Sequence, residues 1–393
     1  MQLSESGMAL LNKMEKKLPP VMPKKSKLLL IDKICMHGAY IAMERGDTSI
    51  GEDDLLIAMH QVLAPRLVNL ICLRLRMGRD KKAEYQQRAF DRGYVSLDTF
   101  WADLAVIAEK CGGHLQEDKL RPVLECYREI VERDSVYTKT TDRDMVPKEL
   151  FVRAGHTEKW YDLAAMAKAC GLMDVYDNRV YKAYTAICAA IPVMGSMVDI
   201  SAQGDIQKFY AFLTHKTQPL GKLRRCPDLP ASLLKNAPLL ESWGLKRFGI
   251  FGVDLRKQSL NFYYYTSQTK FDQACAKAML TTLGFPLPSE EILEEIGGSI
   301  MIYFTFSYAS DRIERICFTR VYEDSLEEAV ALAPSLKDYI EDAPIRVKKR
   351  NILLAFTFHS GGVYVKSELD YKASLGIPKA MRYSGLYAST DQF

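Results

Sequence analysis

Alternating strands that recur in pairs constrain the fold of this chain more than any other feature of its sequence. The segment 363–370, VYVKSELD, alternates between apolar and polar residues, and successive side chains of a strand point to opposite faces. One face is therefore apolar, with Val363, Val365 and Leu369. The other face carries a phenol, a cation and two carboxylates, namely Tyr364, Lys366, Glu368 and Asp370. The environment of that polar face decides what the protein can do.

The same alternation predicts further strands upstream, and each pair of strands is preceded by a segment with helical spacing. The predicted pairs are 150–154 with 160–166, 197–200 with 206–213, 248–255 with 259–266, 299–308 with 313–321, and 352–359 with 363–371. A helix–strand–strand unit thus repeats at a period of roughly fifty residues. The five units predict ten antiparallel strands.

The apolar strand faces need cover, which only the helices can provide. We therefore predict an α+β fold with five ααββ-type repeats, in which a ten-stranded antiparallel β-barrel with a solvent-filled lumen is surrounded by a ring of α-helices. Closure also removes exposed strand edges. The alternative is an open two-layer sheet with its polar face in solvent. That sheet would expose a large aromatic surface, including Tyr210, Tyr263 and Tyr303, which favours the barrel.

Composition limits the class of protein. The net charge of +4 over 393 residues does not indicate nucleic-acid binding. The nine cysteines form no C-x-x-C pair, which predicts reduced thiols in a cytoplasmic protein without a zinc site. No apolar run reaches the roughly 18 residues that a membrane span needs. We expect a mostly helical N-terminal extension over residues 1–95, of unknown role, and a barrel domain over residues 96–393.

The predicted lumen gathers cations from several hairpins. They are Lys208, Arg315 and Lys366, with Lys257 near a turn and Arg153 in the first unit. Cations that share a cavity repel each other and so indicate an anionic ligand, for which a diphosphate is suitable because Lys and Arg bind phosphate oxygens well. The sequence has no P-loop, no GxGxxG after a strand and no DDxxD. Tyrosine rings beside a diphosphate would suit a developing carbocation.

Four ordered segments resemble the ABBA aromatic prenyltransferases, which share a ten-stranded barrel of this kind. The segments are GDIQKFYAFL (204–213), GVDLRKQSLNFYYYT (252–266), DRIERICF (311–318) and VYVKSELDY (363–371). The resemblance implies transfer of a dimethylallyl or geranyl group from its diphosphate to an electron-rich aromatic small molecule in secondary metabolism. It also implies a monomer that binds neither nucleic acid nor membrane.

The resemblance also implies roles for individual residues. Arg153, Lys208, Lys257, Arg315 and Lys366 would bind the diphosphate. Tyr210, Ser259, Asn261, Tyr263, Met301, Tyr303 and Asp370 would form the donor and acceptor pocket. Gly249 and Met301 stand where some relatives have polar acceptor-binding residues, which indicates a more apolar acceptor pocket.

Glu368 is the residue that best indicates which branch of this family the chain resembles. The magnesium-independent enzymes of aminocoumarin and phenazine biosynthesis carry a glutamate two residues after the last barrel lysine, as Glu368 follows Lys366. A carboxylate there could remove the proton from the acceptor, whereas the alternative is a structural ion pair with a lysine. No cofactor is then required. If magnesium were used instead, Asp162 is the aspartate that falls near the position of the metal-binding residue in the magnesium-dependent branch.

Two other functions remain open from the residues alone. The barrel could bind an anionic or aromatic ligand without chemistry, although Glu368 beside the cations would add nothing to such a site. It could also be a terpene cyclase or a prenyl diphosphate hydrolase, in which the prenyl chain or water captures the cation. Products that contain no aromatic ring would indicate this last class.

Overall fold

The computed structural model describes residues 2–18, 47–62 and 94–372, with gaps at 157–159, 173–177, 214–216, 323–325 and 348–349, and scattered residues between 27 and 81. The chain divides into two compact units, residues 1–94 and residues 95–393. The helix predicted to begin near Pro378 lies outside the described residues. None of the helices in the described ranges is long and apolar enough to cross a membrane.

The first unit contains two helices and a short parallel strand pair among its described elements. They are β1 (Gln2–Leu3), α1 (Glu5–Lys17), β2 (Ser49–Ile50) and α2 (Glu52–Val62). Ser4 begins α1 by accepting a hydrogen bond from the Gly7 amide, as expected of an N-cap serine. The unit has an apolar cluster of its own, in which Met14 and Leu55 are buried.

Ten strands of the second unit close into an antiparallel barrel, which confirms the predicted fold. The barrel strands are β3 (Ser135–Thr141), β4 (Leu150–His156), β5 (Val193–Ser201), β6 (Ile206–Leu213), β9 (Ile250–Asp254), β10 (Ser259–Tyr265), β11 (Met301–Ser307), β12 (Arg315–Tyr322), β13 (Ile352–His359) and β14 (Gly362–Lys372). A separate pair consists of β7 (Gln218–Pro219) and β8 (Arg247–Phe248). The order around the barrel is β3-β4-β5-β6-β9-β10-β11-β12-β13-β14, and β14 returns to β3.

Helices cover the apolar outer face of the barrel. They are α3 (Leu97–Lys110), α4 (Glu117–Cys126), α5 (Arg128–Arg133), α6 (Leu163–Ala169), α7 (Arg179–Ala190), α8 (Ala231–Ser242), α9 (Gln273–Leu283), α10 (Glu290–Gly297), α11 (Leu326–Leu332) and α12 (Lys337–Asp342). Strand residues such as Ile302, Phe304 and Phe306 point outward into the core that these helices complete. Their neighbours Met301 and Tyr303 belong to a second apolar cluster, inside the barrel. The predicted division of each strand into two faces therefore holds.

The first strand pair differs from the prediction. Residues 160–166 do not form a strand, because Leu163–Ala169 is helix α6 and Asp162 caps it by accepting the Ala165 amide. The sequence LAAMAKA consists of strong helix formers. The strand that pairs with β4 is instead β3, Ser135–Thr141, whose sequence SVYTKTT is rich in β-branched residues.

The prediction of uniformly reduced thiols is also wrong. Cys126 at the end of α4 and Cys170 after α6 form a disulfide, with their Cα atoms 6.1 Å apart. The pairing joins two helices that cover the same part of the barrel, where α6 packs on β5 and α4. In the barrel unit, Cys111, Cys188, Cys226, Cys275 and Cys317 are free thiols.

Candidate active site

A cavity lies inside the barrel. Its lining includes side chains from strands all around the barrel and from the β3–β4 and β9–β10 loops. Seven of the lining side chains are cations, namely Lys139, Arg143, Arg153, Lys208, Lys257, Arg315 and Lys366. Three are carboxylates, namely Glu149, Asp254 and Glu368. The cavity is therefore strongly basic although the chain as a whole is almost neutral.

Arg153 is at the centre of a buried charge network in one part of the cavity. Its Nε donates to Oδ1 of Asp199 at 2.7 Å, and its Nη1 donates to Oε2 of Glu368 at 2.6 Å. Its Nη2 donates to the Tyr210 hydroxyl at 2.8 Å, and that hydroxyl donates in turn to Asp199 at 2.8 Å. Lys139 donates to the same aspartate. The guanidinium is thus held by two carboxylates, and its first role is to orient them.

Asp199 remains ionised in this network. Burial alone would raise its pKa, but the Arg153 and Lys139 charges outweigh burial and hold the pKa well below its usual value. Asp254 forms a second pair, with Lys208 Nζ at 3.3 Å. Burial, together with the neighbouring cations, lowers the pKa of Lys208 to about 8 despite that carboxylate. An anionic ligand would favour the charged form of Lys208.

A second group of cations lacks ion pairs among the described residues, although the Asp254 carboxylate interacts at longer range with two of its members, Lys257 and Arg315. Lys257, Arg315 and Lys366 form no ion pair with an acid in the part of the chain that the structure describes. Lys366 Nζ donates instead to the Tyr303 hydroxyl at 2.7 Å. Arg143 lies beside them, with Glu149 at 3.6 Å. An anion bound between them would relieve their mutual repulsion.

Tyrosine rings form the wall between the two charged groups. The Tyr263 ring lies 4.5 Å from the Tyr303 ring and 6.2 Å from the Tyr210 ring, measured between centroids. The three rings are at most 9% exposed. They share the inner cluster with Met301 and Met197. This wall offers aromatic faces to a positively charged or apolar group.

Only one of the two carboxylate oxygens of Glu368 has a hydrogen-bond partner among the described residues. Its Oε2 accepts from Arg153, whereas Oε1 is buried and has no hydrogen-bond partner among the described residues. Burial raises the pKa of Glu368, although Arg153 and Lys139 oppose this. A buried oxygen that lacks a partner is costly unless a ligand satisfies it. The group is therefore suited to accept a proton from a bound molecule.

The structure brings most of the predicted site residues together. Those that line the cavity are Arg153, Lys208, Tyr210, Lys257, Tyr263, Met301, Tyr303, Arg315, Lys366 and Glu368. Ser259 and Asn261 are buried on β10 but do not line it, and the Asn261 amide oxygen accepts from the Thr305 hydroxyl. Asp370 is paired across the sheet with Tyr137 and is not part of the lining. Asp162 caps α6 and is not part of the lining either.

Sequence reasoning missed Lys139, Arg143 and Asp199. Lys139 and its strand could have been found, because Tyr137 and Lys139 alternate with β-branched residues in SVYTKTT as the other strand pairs do. Arg143 is in the β3–β4 loop, where no periodicity exists to place it. Asp199 is buried by its ion pairs with Arg153 and Lys139, which a strand pattern does not reveal.

Comparisons with known proteins agree on one family. The family described as "Aromatic prenyltransferase Orf2" matches residues 95–376. A 5,10-dihydrophenazine-1-carboxylate 9-dimethylallyltransferase of Streptomyces anulatus is 24% identical over 273 residues, 69% of this chain and 91% of that protein. A furaquinocin biosynthesis prenyltransferase of Streptomyces sp. (strain KO-3988) is 23% identical over 272 residues, 67% of this chain and 88% of that protein. A flaviolin linalyltransferase of Streptomyces virginiae is 24% identical over 177 residues, 44% of this chain and 59% of that protein.

Proposed function

We propose that this chain, which belongs to the aromatic prenyltransferase Orf2 family, moves a dimethylallyl or geranyl group from its diphosphate to an electron-rich aromatic small molecule inside the barrel. One observation carries the proposal. A single cavity joins cations that form no ion pair among the described residues, a wall of tyrosine rings and a buried carboxylate with one unsatisfied oxygen. We assign the reaction to residues 96–393 and no role in it to residues 1–95.

The diphosphate would be bound by the unpaired cations. Lys257, Arg315 and Lys366 would contact its oxygens directly, and Lys208 would join them while it keeps Asp254 beside it. Arg153 was predicted to bind the diphosphate as well. Because two carboxylates already hold its guanidinium, we propose that it orients Glu368 instead. Stabilisation of the negative charge that develops on the leaving diphosphate would be the largest contribution to the rate.

The prenyl group would lie against the tyrosine wall. When the allylic C–O bond breaks, the diphosphate leaves with the electron pair and an allylic cation remains. The faces of Tyr210, Tyr263 and Tyr303 would stabilise that cation by about 0.5–2 kcal/mol each and keep water away from it. The aromatic ring of the acceptor then attacks the cation, which forms a carbon–carbon bond and an arenium ion.

Glu368 would complete the substitution. Its free Oε1 would take the proton that the arenium ion, or a hydroxyl of the acceptor, has to lose. Arg153 would keep the carboxylate in place through Oε2. The relatives are named for a dihydrophenazine carboxylate and for flaviolin, and we propose an acceptor of that general kind, a fused or phenolic aromatic ring.

We propose that magnesium is not needed. The lining carboxylates that could bind a metal are already paired with side-chain cations, Asp254 with Lys208 and Glu368 with Arg153. Asp162, the alternative metal ligand, accepts an amide of its own helix. The diphosphate charge would be neutralised by lysine and arginine instead.

A product screen tests the proposal. Purified protein would be incubated with dimethylallyl or geranyl diphosphate and with phenols, naphthalenes, indoles or phenazines, in EDTA and in magnesium, and products identified by mass spectrometry. We expect a prenylated aromatic in EDTA. A product that requires magnesium would overturn the metal independence, and products without an aromatic ring would indicate a cyclase or a hydrolase. Measurable diphosphate binding with no product from any pair would favour a binding protein.

A further inference from the structure

We propose that Tyr364 is a second proton carrier in this reaction, and that it donates its hydroxyl proton to the diphosphate as the allylic C–O bond breaks. The inference rests on the function proposed above. It adds a catalytic residue at the leaving-group end of the cavity, whereas Glu368 acts at the acceptor end.

The Tyr364 hydroxyl is buried where a diphosphate would bind. The residue is 5% exposed and lines the cavity. Its Oη has no hydrogen-bond partner of ordinary geometry in the described ranges of the chain, although the Arg315 guanidinium is close enough to interact with it. A buried hydroxyl without a partner is unusual. A bound diphosphate oxygen would satisfy it.

Cations surround this hydroxyl from several elements. The Arg143 guanidinium lies 3.8 Å from the centroid of the Tyr364 ring, and Lys366 Nζ lies 5.3 Å from it. The groups that face Tyr364 are Arg143 from the β3–β4 loop, Lys257 from the β9–β10 turn, Tyr303 from β11, Arg315 and Cys317 from β12, His359 from β13 and Lys366 from its own strand. The neighbours that act most strongly on Tyr364 are thus mainly positive, while the nearby Asp142 carboxylate accepts from the Val365 amide and Asp254 interacts with Arg315 and Lys257.

This environment favours the phenolate that remains after proton donation. Burial alone would raise the pKa of Tyr364, but Lys366, Arg315 and Arg143 outweigh burial and lower the pKa to about 7. A bound diphosphate would offset those charges and raise the pKa again, so that the hydroxyl is protonated when the donor is in place. As the C–O bond breaks, charge moves onto the diphosphate and the proton can follow it.

The proton balance closes over one cycle. The C–O bond breaks with its electrons on the diphosphate, which receives the Tyr364 proton and leaves as a protonated anion. The acceptor ring forms the new C–C bond and loses its proton to Glu368. Afterwards Glu368 returns that proton to water, and the Tyr364 phenolate takes one from water. No oxidant or other co-reactant is required.

Two carriers are needed because the two protons move in different places. Tyr364 and Glu368 lie four residues apart on one face of β14, a separation of about 13 Å along a strand. Lys366 stands between them and donates to Tyr303. Two different groups on the same strand would thus act on the two protons: Tyr364 would donate one to the diphosphate, and Glu368 would accept the other from the acceptor.

A titration of the empty enzyme tests the inference without turnover. The phenolate absorbance of wild type minus that of Tyr364→Phe should show one tyrosine that ionises near pH 7. Saturating inorganic pyrophosphate should raise that value by about one pH unit or more. Tyr322→Phe is the matched control, because the Tyr322 hydroxyl donates to Glu295 rather than into the cavity. An identical titration with and without pyrophosphate would overturn the inference.

Kinetics provide the second test. Tyr364→Phe should lower kcat by about 10²-fold and remove the alkaline decline of kcat, while pyrophosphate affinity changes by only a few fold. A Tyr364→Phe enzyme with the wild-type kcat and pH profile would overturn the inference and leave the proposed function standing. A wild-type enzyme that binds pyrophosphate but prenylates no acceptor would overturn both.

Discussion

Replacement of Glu368 by glutamine separates its chemical role from its structural one. The glutamine amide oxygen can still accept from Arg153, which donates to Oε2 at 2.6 Å in the wild type, and Arg153 keeps its two contacts to Asp199. The change therefore replaces a hydrogen bond between two charged groups with one from the charged guanidinium to a neutral acceptor, at a cost of about 1 kcal/mol of folding stability. The barrel should remain folded.

The effect on catalysis should be much larger. An amide cannot take the acceptor proton, and loss of a general base lowers the rate by about 10²–10⁴-fold, which corresponds to roughly 3–5 kcal/mol of transition-state stabilisation. The Michaelis constant for the prenyl diphosphate should change little, because the diphosphate would be bound by the lysines and arginines of the cavity and not by Glu368. The substitution should therefore appear in kcat.

The assay is product formation under saturating donor across a range of pH, with thermal unfolding of the same samples. Burial raises the pKa of Glu368, so wild-type kcat should fall as the pH drops through that raised value and the carboxylate becomes protonated. Glu368→Gln should lack this acid limb. Glu368→Asp keeps the charge but withdraws it by one methylene, and it should show an intermediate kcat with the limb retained. A Glu368→Gln enzyme within about threefold of the wild-type kcat would refute the reasoning.

Three further changes test other parts of the structure. Lys366→Met should weaken pyrophosphate binding by about 10–100-fold, since one charge-assisted contact contributes about 1.5–3 kcal/mol, and unchanged affinity in calorimetry would contradict its role. Burial lowers the pKa of Lys372 to about 7, so the unfolded chain binds more protons above that pH and stability should rise with pH up to the unfolded value. Lys372→Met should reduce that rise by up to about 1.4 kcal/mol per pH unit in denaturant titrations, and equal slopes would contradict the assignment. Gly249→Ala would place a Cβ 2.1 Å from the Tyr265 ring and should cost about 1–3 kcal/mol, whereas Gly221→Ala, with open space around it, should leave the melting temperature nearly unchanged.

The strand faces could be predicted because alternation is a local property of the sequence. Lys366 and Glu368 share a face of β14 whatever surrounds the strand, and the same holds for Tyr263 on β10. The first hairpin was mispredicted because residues 160–166 carry an apolar pattern that also suits a helix. Asp162 caps α6 by accepting the Ala165 amide, which is a local helix start signal that the strand interpretation overlooked.

The partners of the lining cations could not be predicted in the same way. Arg153, Lys208 and Lys366 are equivalent in the sequence, since each is a cation at an inward position of a strand. In the structure Arg153 is held by Asp199 and Glu368, Lys208 by Asp254, and Lys366 by a tyrosine hydroxyl. These differences depend on which strands are neighbours around the barrel. A closed barrel fixes that order, whereas a strand pattern does not.

Only some of these cations are paired with carboxylates. This explains how one buried cavity can hold so many of them, and why its positive charge is concentrated at one end. Asp199 and Glu368 neutralise Arg153 and Lys139 on one side, and Asp254 neutralises Lys208. The remaining positive charge is concentrated at Lys257, Arg315 and Lys366, around the Tyr364 phenol. Under the proposed function, a diphosphate that enters would be attracted to this place, and the prenyl carbon attached to it would point toward the tyrosine wall and Glu368. On this proposal the ion pairs of the lumen would do more than stabilise the fold, because they would determine which end of the cavity receives the leaving group.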